Sequence, residues 1–328
     1  MTIHPHEPSR VSLAQLPTPV VGLKNLARER GVPRILMKRD DLTGLELSGN
    51  KIRKLEYVVA EAIAQGADTL ITHGGSQSNH CRATAALGAR LDLRVRLILR
   101  SAEANPENEG NLFLDNLFSA ECSFHTPDEY SNKLDDLVRE ATEHERAAGR
   151  NSYFFPVGAS IPLGCWGYIR CVSELVEQLG RETPVDLYCA TSSGGTQAGL
   201  ILGRALLGCS NWSIRGVPVS DSSQYLRDKL RSLMSETIKK FRLNLTETDT
   251  PIELIDGFIG EGYAIPYPEG VETIRLLGRT EGVVLDPSYT SKAMTGMLAD
   301  LATRSSDRVP VFLHTGGAFG LFARRELL

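Results

Sequence analysis

Lys51 lies in the run Ser48-Gly49-Asn50-Lys51-Ile52-Arg53-Lys54. The pattern puts it at the opening of a helix, directly after a Gly-Asn turn, so the backbone fixes where its amine goes. A helix N-terminus and neighbouring cations both disfavour the ammonium form and favour the neutral amine, which is the nucleophile. The competing reading is a solvated lysine at a helix start.

A second stretch is His73-Gly74-Gly75-Ser76-Gln77-Ser78-Asn79-His80, a turn following a short apolar run. Open α/β sheets bind ligands beyond the carboxyl ends of their strands. A plain N-cap needs one Ser or Asn, and the side chains of residues 76–80 exceed that need. A third is Thr191-Ser192-Ser193-Gly194-Gly195-Thr196-Gln197-Ala198-Gly199. Successive amides in a Gly-rich turn at a helix N-terminus make an anion cradle, and the hydroxyls of Ser193 and Thr196 add donors. The Gly-Lys-Ser/Thr ending of a nucleotide loop and the G-x-G-x-x-G spacing are both missing, so the phosphate belongs to something other than a typical nucleotide. The alternative is an ordinary strand-to-helix turn. Near the C-terminus, Asp286-Pro287-Ser288-Tyr289-Thr290-Ser291-Lys292 sets an aromatic ring after a Pro-fixed turn, and His314-Thr315-Gly316-Gly317 ends the last apolar run. A ring cofactor needs a flat wall and a partner for its ring nitrogen, and Tyr289 and Thr315 would supply these. Singly, they are a core tyrosine and a turn threonine.

The elements that must hold these residues follow one theme: an apolar run, a small-residue turn, an amphipathic stretch. The runs are residues 69–72, 95–99, 186–190 and 309–314. Continuous apolar runs suit strands buried on both faces, and their alternation with helices argues a parallel sheet in an α/β fold. After Lys51, the apolar residues Ile52, Leu55, Val59, Ala62 and Ile63 keep helical spacing, with Lys54 and Glu61 on other faces. Residues 79–90 and 197–207 read as further helices. Linkers are expected at 45–50 and 158–164, which sets the middle third apart as a small domain.

The chain has 328 residues, room for two domains, with ordinary globular composition and a formal net charge of -4. That charge disfavours nucleic acid as a partner. No apolar stretch is long enough to span a bilayer, and the polar first ten residues lack the apolar core of a secretory signal. The six cysteines form no C-x-x-C pair. They read as buried reduced thiols, with the cytoplasm as the default compartment. Zinc spacings and a G-x-S-x-G nucleophile elbow are also missing, so neither a metal nor a serine-hydrolase reading is favoured.

Taken together, residues 48–54, 74–82, 192–199, 286–296 and 314–317 resemble the D-cysteine desulfhydrase and 1-aminocyclopropane-1-carboxylate deaminase family. The motifs occur in the same order and at similar separations, and the resemblance spans nearly the whole chain. It implies the tryptophan-synthase-β-like fold of pyridoxal-phosphate enzymes: two domains, each an open, mostly parallel sheet flanked by helices. Residues 1–50 with 165–328 would form the large cofactor-binding domain, and 51–164 the small one. The cofactor implied is pyridoxal 5′-phosphate, and the partners are a small amino-acid substrate and a second copy of the chain in a homodimer. Lys51 matches the Schiff-base lysine. Ser193, Gly194, Gly195 and Thr196 match the phosphate cup. Asn79 matches the residue at the cofactor's phenolic oxygen, and Ser78 the hydroxyl that meets the substrate carboxylate or assists proton transfer. Tyr289 matches the aromatic residue beside the ring, Tyr263 the second active-site tyrosine, and Thr315 the group facing the pyridine nitrogen.

One departure separates the branches. The deaminases carry glutamate after the tyrosine matched by Tyr289, where this chain has Thr290, and tend to have an apolar residue where it has Thr315. A carboxylate beside the pyridine nitrogen strengthens the ring as an electron sink, which cyclopropane opening needs and thiolate expulsion does not. Thr290, Thr315 and the segment Gly164-Cys165-Trp166-Gly167-Tyr168 resemble the desulfhydrases. The expected activity is β-elimination, with D-cysteine giving pyruvate, sulfide and ammonia. The alternatives are 1-aminocyclopropane-1-carboxylate deamination, L-cysteate sulfo-lysis, and a phosphate-ligand binding protein without catalysis. A sulfonate would call for extra donors, which Arg53, His80 or Arg82 would provide unless they are solvated surface residues.

Overall fold

The computed structural model describes residues 3–327. Its strands are β1 (Val20–Gly22), β2 (Leu36–Lys38), β3 (Thr69–Gly75), β4 (Arg94–Arg100), β5 (Glu121–His125), β6 (Ser152–Phe154), β7 (Val185–Thr191), β8 (Trp212–Pro218), β9 (Glu253–Leu254) and β10 (Val309–Leu313). The helices are α1 (Lys24–Glu29), α2 (Lys51–Ala64), α3 (Asn79–Arg90), α4 (Gly110–Leu117), α5 (Pro127–Ala147), α6 (Pro162–Leu179), α7 (Gly195–Leu206), α8 (Ser223–Phe241), α9 (Pro268–Glu281), α10 (Thr290–Thr303) and α11 (Ala318–Phe322). They flank two sheets, of order β1-β2-β10-β7-β8-β9 and β5-β4-β3-β6. Among the described residues, only β1 runs antiparallel to its neighbour. The long central strands β3 and β7 are buried almost throughout, as continuous apolar runs require.

Two boundaries differ from the sequence expectation. His73, Gly74 and Gly75, taken as turn, continue β3 and pair with Ile98, Leu99 and Arg100 of β4; Gly74 marks a close approach there, a Cβ on it lying 2.8 Å from Ser78 Oγ. Helix α7 starts at Gly195 rather than Gln197, so two cradle residues form its first turn.

Helix packing explains the glycines. A Cβ on Gly167 of α6 would strike the Arg53 carbonyl of α2, and one on Gly164 would meet Lys54 Cβ at 3.4 Å. On the other side of α6, a Cβ on Gly199 of α7 would strike the Cys165 carbonyl, and one on Gly203 would lie 2.9 Å from Ile169 Cα. The layer α2–α6–α7 therefore packs backbone to backbone. Lys54, expected on a polar face, is fully buried beneath α6. The same crossing hides an ionic network. Arg53 pairs with Asp40 (2.8 Å) and Glu174 (2.8 Å), Lys38 pairs with Glu174 (2.9 Å), and Tyr168 donates to Asp40 (2.6 Å). All six cysteines are free, five of them buried and Cys122 half-buried. Among the described residues, no helix is long and apolar enough to cross a membrane.

Candidate active site

The carboxyl ends of β3, β4, β7 and β10 open on one pocket. At one end of it, Gly194 takes the left-handed φ of +89° that turns β7 into α7. Ser160 Oγ accepts the Gly195 N–H (3.2 Å) and donates to Ser193 Oγ (2.7 Å). A Cβ on Gly195 would lie 2.7 Å from Ser160 Oγ, and one on Gly158 would lie 2.5 Å from Ser193 Oγ. Side chains at either position would fill the cradle. Lys54 lies behind it, its ammonium 3.4 Å from Ser160 Oγ. Burial, reinforced by the charge of Lys51, pushes Lys54 well below the ordinary lysine range. A buried amine with one hydroxyl partner is short of acceptors for an ammonium, and a phosphate in the cup would supply them and favour the charged form.

Lys51 begins α2 at the pocket's centre. Gly49, at φ +106°, presses so closely on the opposite loop that a Cβ there would lie 2.7 Å from the Thr315 carbonyl. The Asn50 N–H donates to that carbonyl (3.1 Å). Lys51 Nζ donates to Asn50 Oδ1 (2.8 Å), and Asn50 Nδ2 donates to Thr196 Oγ1 (3.0 Å), so one amide links the lysine to the cup. Burial pushes Lys51 down to about 8, with Asp286 opposing and Arg82 assisting. The expected direction holds, but loss of water is the main cause, and the cation that assists is Arg82 of α3. Lys51 Nζ lies 5.8 Å from the centre of the Tyr289 ring. Tyr289 and Tyr263 share a hydroxyl–hydroxyl hydrogen bond, and burial raises both phenols, so both stay protonated. Lys292 pins the Tyr263 loop by donating to the carbonyls of Ile259 (2.5 Å) and Gly262 (2.9 Å).

The family model described as "Pyridoxal-phosphate dependent enzyme" matches residues 11–316. The chain belongs to that family. It is 41% identical to a putative 1-aminocyclopropane-1-carboxylate deaminase of Thermotoga maritima, over 97% of this chain and 99% of that protein. It is 38% identical to the D-cysteine desulfhydrase of Yersinia enterocolitica, covering 96% and 95%. A crystal structure of a 1-aminocyclopropane-1-carboxylate deaminase homologue superposes with a TM-score of 0.89 at 34% identity, covering 99% of this chain and all of that one. The chain is a pyridoxal-phosphate-dependent lyase with the two-sheet fold that the resemblance implied.

In this pyridoxal-phosphate enzyme, Lys51, Ser78, Asn79, Ser193, Gly194, Thr196, Tyr263, Tyr289 and Thr315 all line the pocket. Gly195 stands behind the lining, its amide held by Ser160. Ser78 caps α3, its Oγ accepting the N–H groups of His80 and Cys81 at 3.2 Å each. Asn79 Oδ1 accepts from Asn111 (3.1 Å), which orients the side chain. Thr290 is outside the lining. Its hydroxyl donates to Asp286 Oδ1 (2.6 Å) inside a turn whose amides also donate to that carboxylate.

The three residues held in reserve for a sulfonate need correction. Arg53 is committed to Asp40 and Glu174. Arg82 donates to the carbonyls of Glu46 and Ser48 and to Asn111. His80 bonds Thr72 through Nε2 (2.8 Å), and burial lowers it far enough to keep it neutral. All three are buried rather than solvated, because α2 and α3 carry them inward; the two arginines are committed to protein acceptors, while His80 lines the pocket with its Nδ1 unpartnered. Asn50, Lys54, Ser160, Arg100 and Tyr130 escaped notice. For Lys54, a spacing of one helical turn from Lys51 was the available signal.

Proposed function

We propose that this lyase performs β-elimination on a small amino acid, with D-cysteine giving pyruvate, sulfide and ammonia. The carrying observation is Lys51, whose amine sits between the Tyr289 ring and the Asn50–Thr196 link to the cup, pushed down to about 8. Pyridoxal phosphate, when bound, supplies the electron sink that makes an α-proton removable. Ser193, Gly194, Gly195 and Thr196 hold its phosphate, and Lys54 neutralises that charge through the back of the cup. Lys51 Nζ would hold the cofactor and would be the base that takes the α-proton. Asn50 aims Nζ. Asn79 would hold the phenolic oxygen, Ser78 would meet the substrate carboxylate, and Thr315 would serve the pyridine nitrogen, all three lining the pocket. The Tyr289–Tyr263 pair keeps a protonated phenol beside Lys51 that can hand a proton to the departing group.

Elimination is favoured over ring opening because Thr315 brings a hydroxyl, not a carboxylate, to the pocket, and position 290 holds a threonine committed to Asp286. We place the small domain at residues 51–164 and the large one at 1–50 with 165–328, supported by strands of one sheet falling in 69–154 and of the other in 20–38 and 185–313. A homodimer in the cytoplasm completes the proposal, from the family and the unbridged thiols. Pyruvate release from D-cysteine, L-cysteine and 1-aminocyclopropane-1-carboxylate tests it. D-Cysteine is expected to give the highest kcat/KM, and K51A to lose at least roughly 10²–10⁴-fold in turnover. Oxobutanoate from the cyclopropane as the dominant product would overturn it.

A further inference from the structure

The segment joining β9 to α9, residues 255–267, supplies Tyr263 to the pocket lining. Gly257, Gly260 and Gly262 take φ of +95°, +69° and +156° there, and Ala264 takes +58° without being glycine. An alanine in the left-handed region persists only where its surroundings hold it. Up to Gly262 the support comes from α10. Lys292 donates to the Ile259 and Gly262 carbonyls, and a Cβ on Gly296 would lie 3.1 Å from the Phe258 ring. Tyr263 itself meets the Tyr289 hydroxyl and, 5.3 Å from its ring centre, the Arg100 guanidinium.

Arg100 ends β4, which belongs to the other sheet. Its second ring is Tyr130 of α5, 5.7 Å from the guanidinium. Tyr130 is fixed from behind: its hydroxyl bonds His73 Nδ1 (2.5 Å), and His73 Nε2 accepts the Val157 N–H (3.2 Å). Arg100 thus joins an anchored ring beside the four-stranded sheet to a ring carried by a connecting segment of the six-stranded one. Among the described residues its side chain has no carboxylate or hydrogen-bond acceptor. The two ring faces are therefore its electrostatic partners. Lys229 of α8 also lines the pocket without an acceptor, but its ring is the exposed Tyr225, one turn back on the same helix. That contact joins no separate parts of the fold; the Arg100 contacts do. Burial raises the Tyr263 phenol, and the Tyr289 hydrogen bond and the charge of Arg100 oppose that rise.

We propose that Arg100 is a positioning residue: its guanidinium, shared between Tyr130 and Tyr263, clasps the two sheets across the pocket and sets the Tyr263 hydroxyl against that of Tyr289. The inference rests on the elimination chemistry proposed above, in which that tyrosine pair hands a proton to the departing group. The α-proton passes to Lys51 Nζ, and its electron pair becomes the Cα–Cβ double bond. The Cβ–S pair leaves on sulfur, a phenol protonates that sulfur, and the proton on Nζ then restores the phenol. Arg100 acts on this step through Tyr263 and not on the substrate. The clasp needs the ring of Tyr263, whereas the proton needs its hydroxyl, so substitution separates the two.

Amide hydrogen exchange on the holoenzyme reads the clasp, and steady-state kinetics with D-cysteine read the positioning. R100M should speed exchange in residues 257–266 about 3–30-fold, the range for one lost cation–π contact, and leave α9 unchanged. The increase should persist in a Y263F background, which keeps the ring, and vanish in Y263L, which lacks it. R100K should restore most of the protection. No increase in R100M, an increase that spreads equally over α9, or one that survives Y263L would overturn the clasp. In turnover, R100M should lower kcat about 3–30-fold, change KM by less than about twofold, and add nothing in the Y263F background. An unchanged kcat, a rise in KM alone, or a full R100M effect in Y263F would overturn the positioning role. Turnover of none of D-cysteine, L-cysteine and 1-aminocyclopropane-1-carboxylate by the native enzyme, with the exchange pattern intact, contradicts the elimination chemistry and leaves the clasp standing on its exchange.

Discussion

Lys51 is made reactive by a pocket that strips its water, with the charge of Arg82 assisting, and by an amide that aims it, while the carboxylate of Asp286 limits the downward shift. Below pH 8 the group is the ammonium and above it the free amine. The rate at which apoenzyme captures pyridoxal phosphate should therefore rise with pH and level off above a midpoint of about 8. A midpoint near the ordinary lysine value of about 10.4 would contradict the environment described. Lys51, Ser78, Ser193 and Tyr289 stood out in the sequence because each sits in a short run of chemically suited neighbours. Arg100 and Lys54 did not. Lys54 is buried only because α6 crosses over it, and the missing partner of Arg100 is a property of the folded pocket.

At the scale of elements, the site depends on the spacing of α2, α6 and α7. Gly167 lies against the Arg53 carbonyl, one turn or less from Lys51 and Lys54. Gly167→Ala should push α6 off α2, costing roughly 1–3 kcal/mol and weakening cofactor affinity more than Gly278→Ala, an α9 site where an added Cβ meets nothing within 4 Å. Urea unfolding and cofactor titration of the two variants check this, and equal effects would refute it. The apolar runs revealed the strands, because burial on both faces leaves a continuous signature. Their ends were harder to place. His73-Gly74-Gly75 looked like a turn, yet it belongs to β3, and it is this extension that lets the α3 cap at Ser78 pack on Gly74, where a Cβ would lie 2.8 Å from Ser78 Oγ.

Across the whole molecule, the pocket lies where the carboxyl ends of both sheets meet, and a buried ionic network braces it. Burial alone would raise Asp40 and Glu174. The charge and hydrogen bonds of Arg53, with Lys38, outweigh that and hold both carboxyls below their ordinary values. Their stabilisation is full above the ordinary carboxylate range of about 4 and is lost as pH falls through the lower folded values. Glu174→Ala leaves Lys38 without its carboxylate and Arg53 with Asp40 alone, and should cost about 3–5 kcal/mol at neutral pH by denaturant unfolding. A loss below about 1 kcal/mol would mean that the network is dispensable. No motif in the sequence marks these charges as a network, since they come from three separate segments, residues 38–40, Arg53 and Glu174.

The central claim concerns which amine holds the cofactor, and Lys51 and Lys54 lie one helical turn apart with both ammonium groups shifted downward. Borohydride reduction of the holoenzyme, followed by proteolysis and mass spectrometry, distinguishes them. Loss of the absorption band near the visible edge, with the reduced cofactor on Lys51 alone, is the predicted result. The cofactor on Lys54, on another lysine, or on none would contradict it.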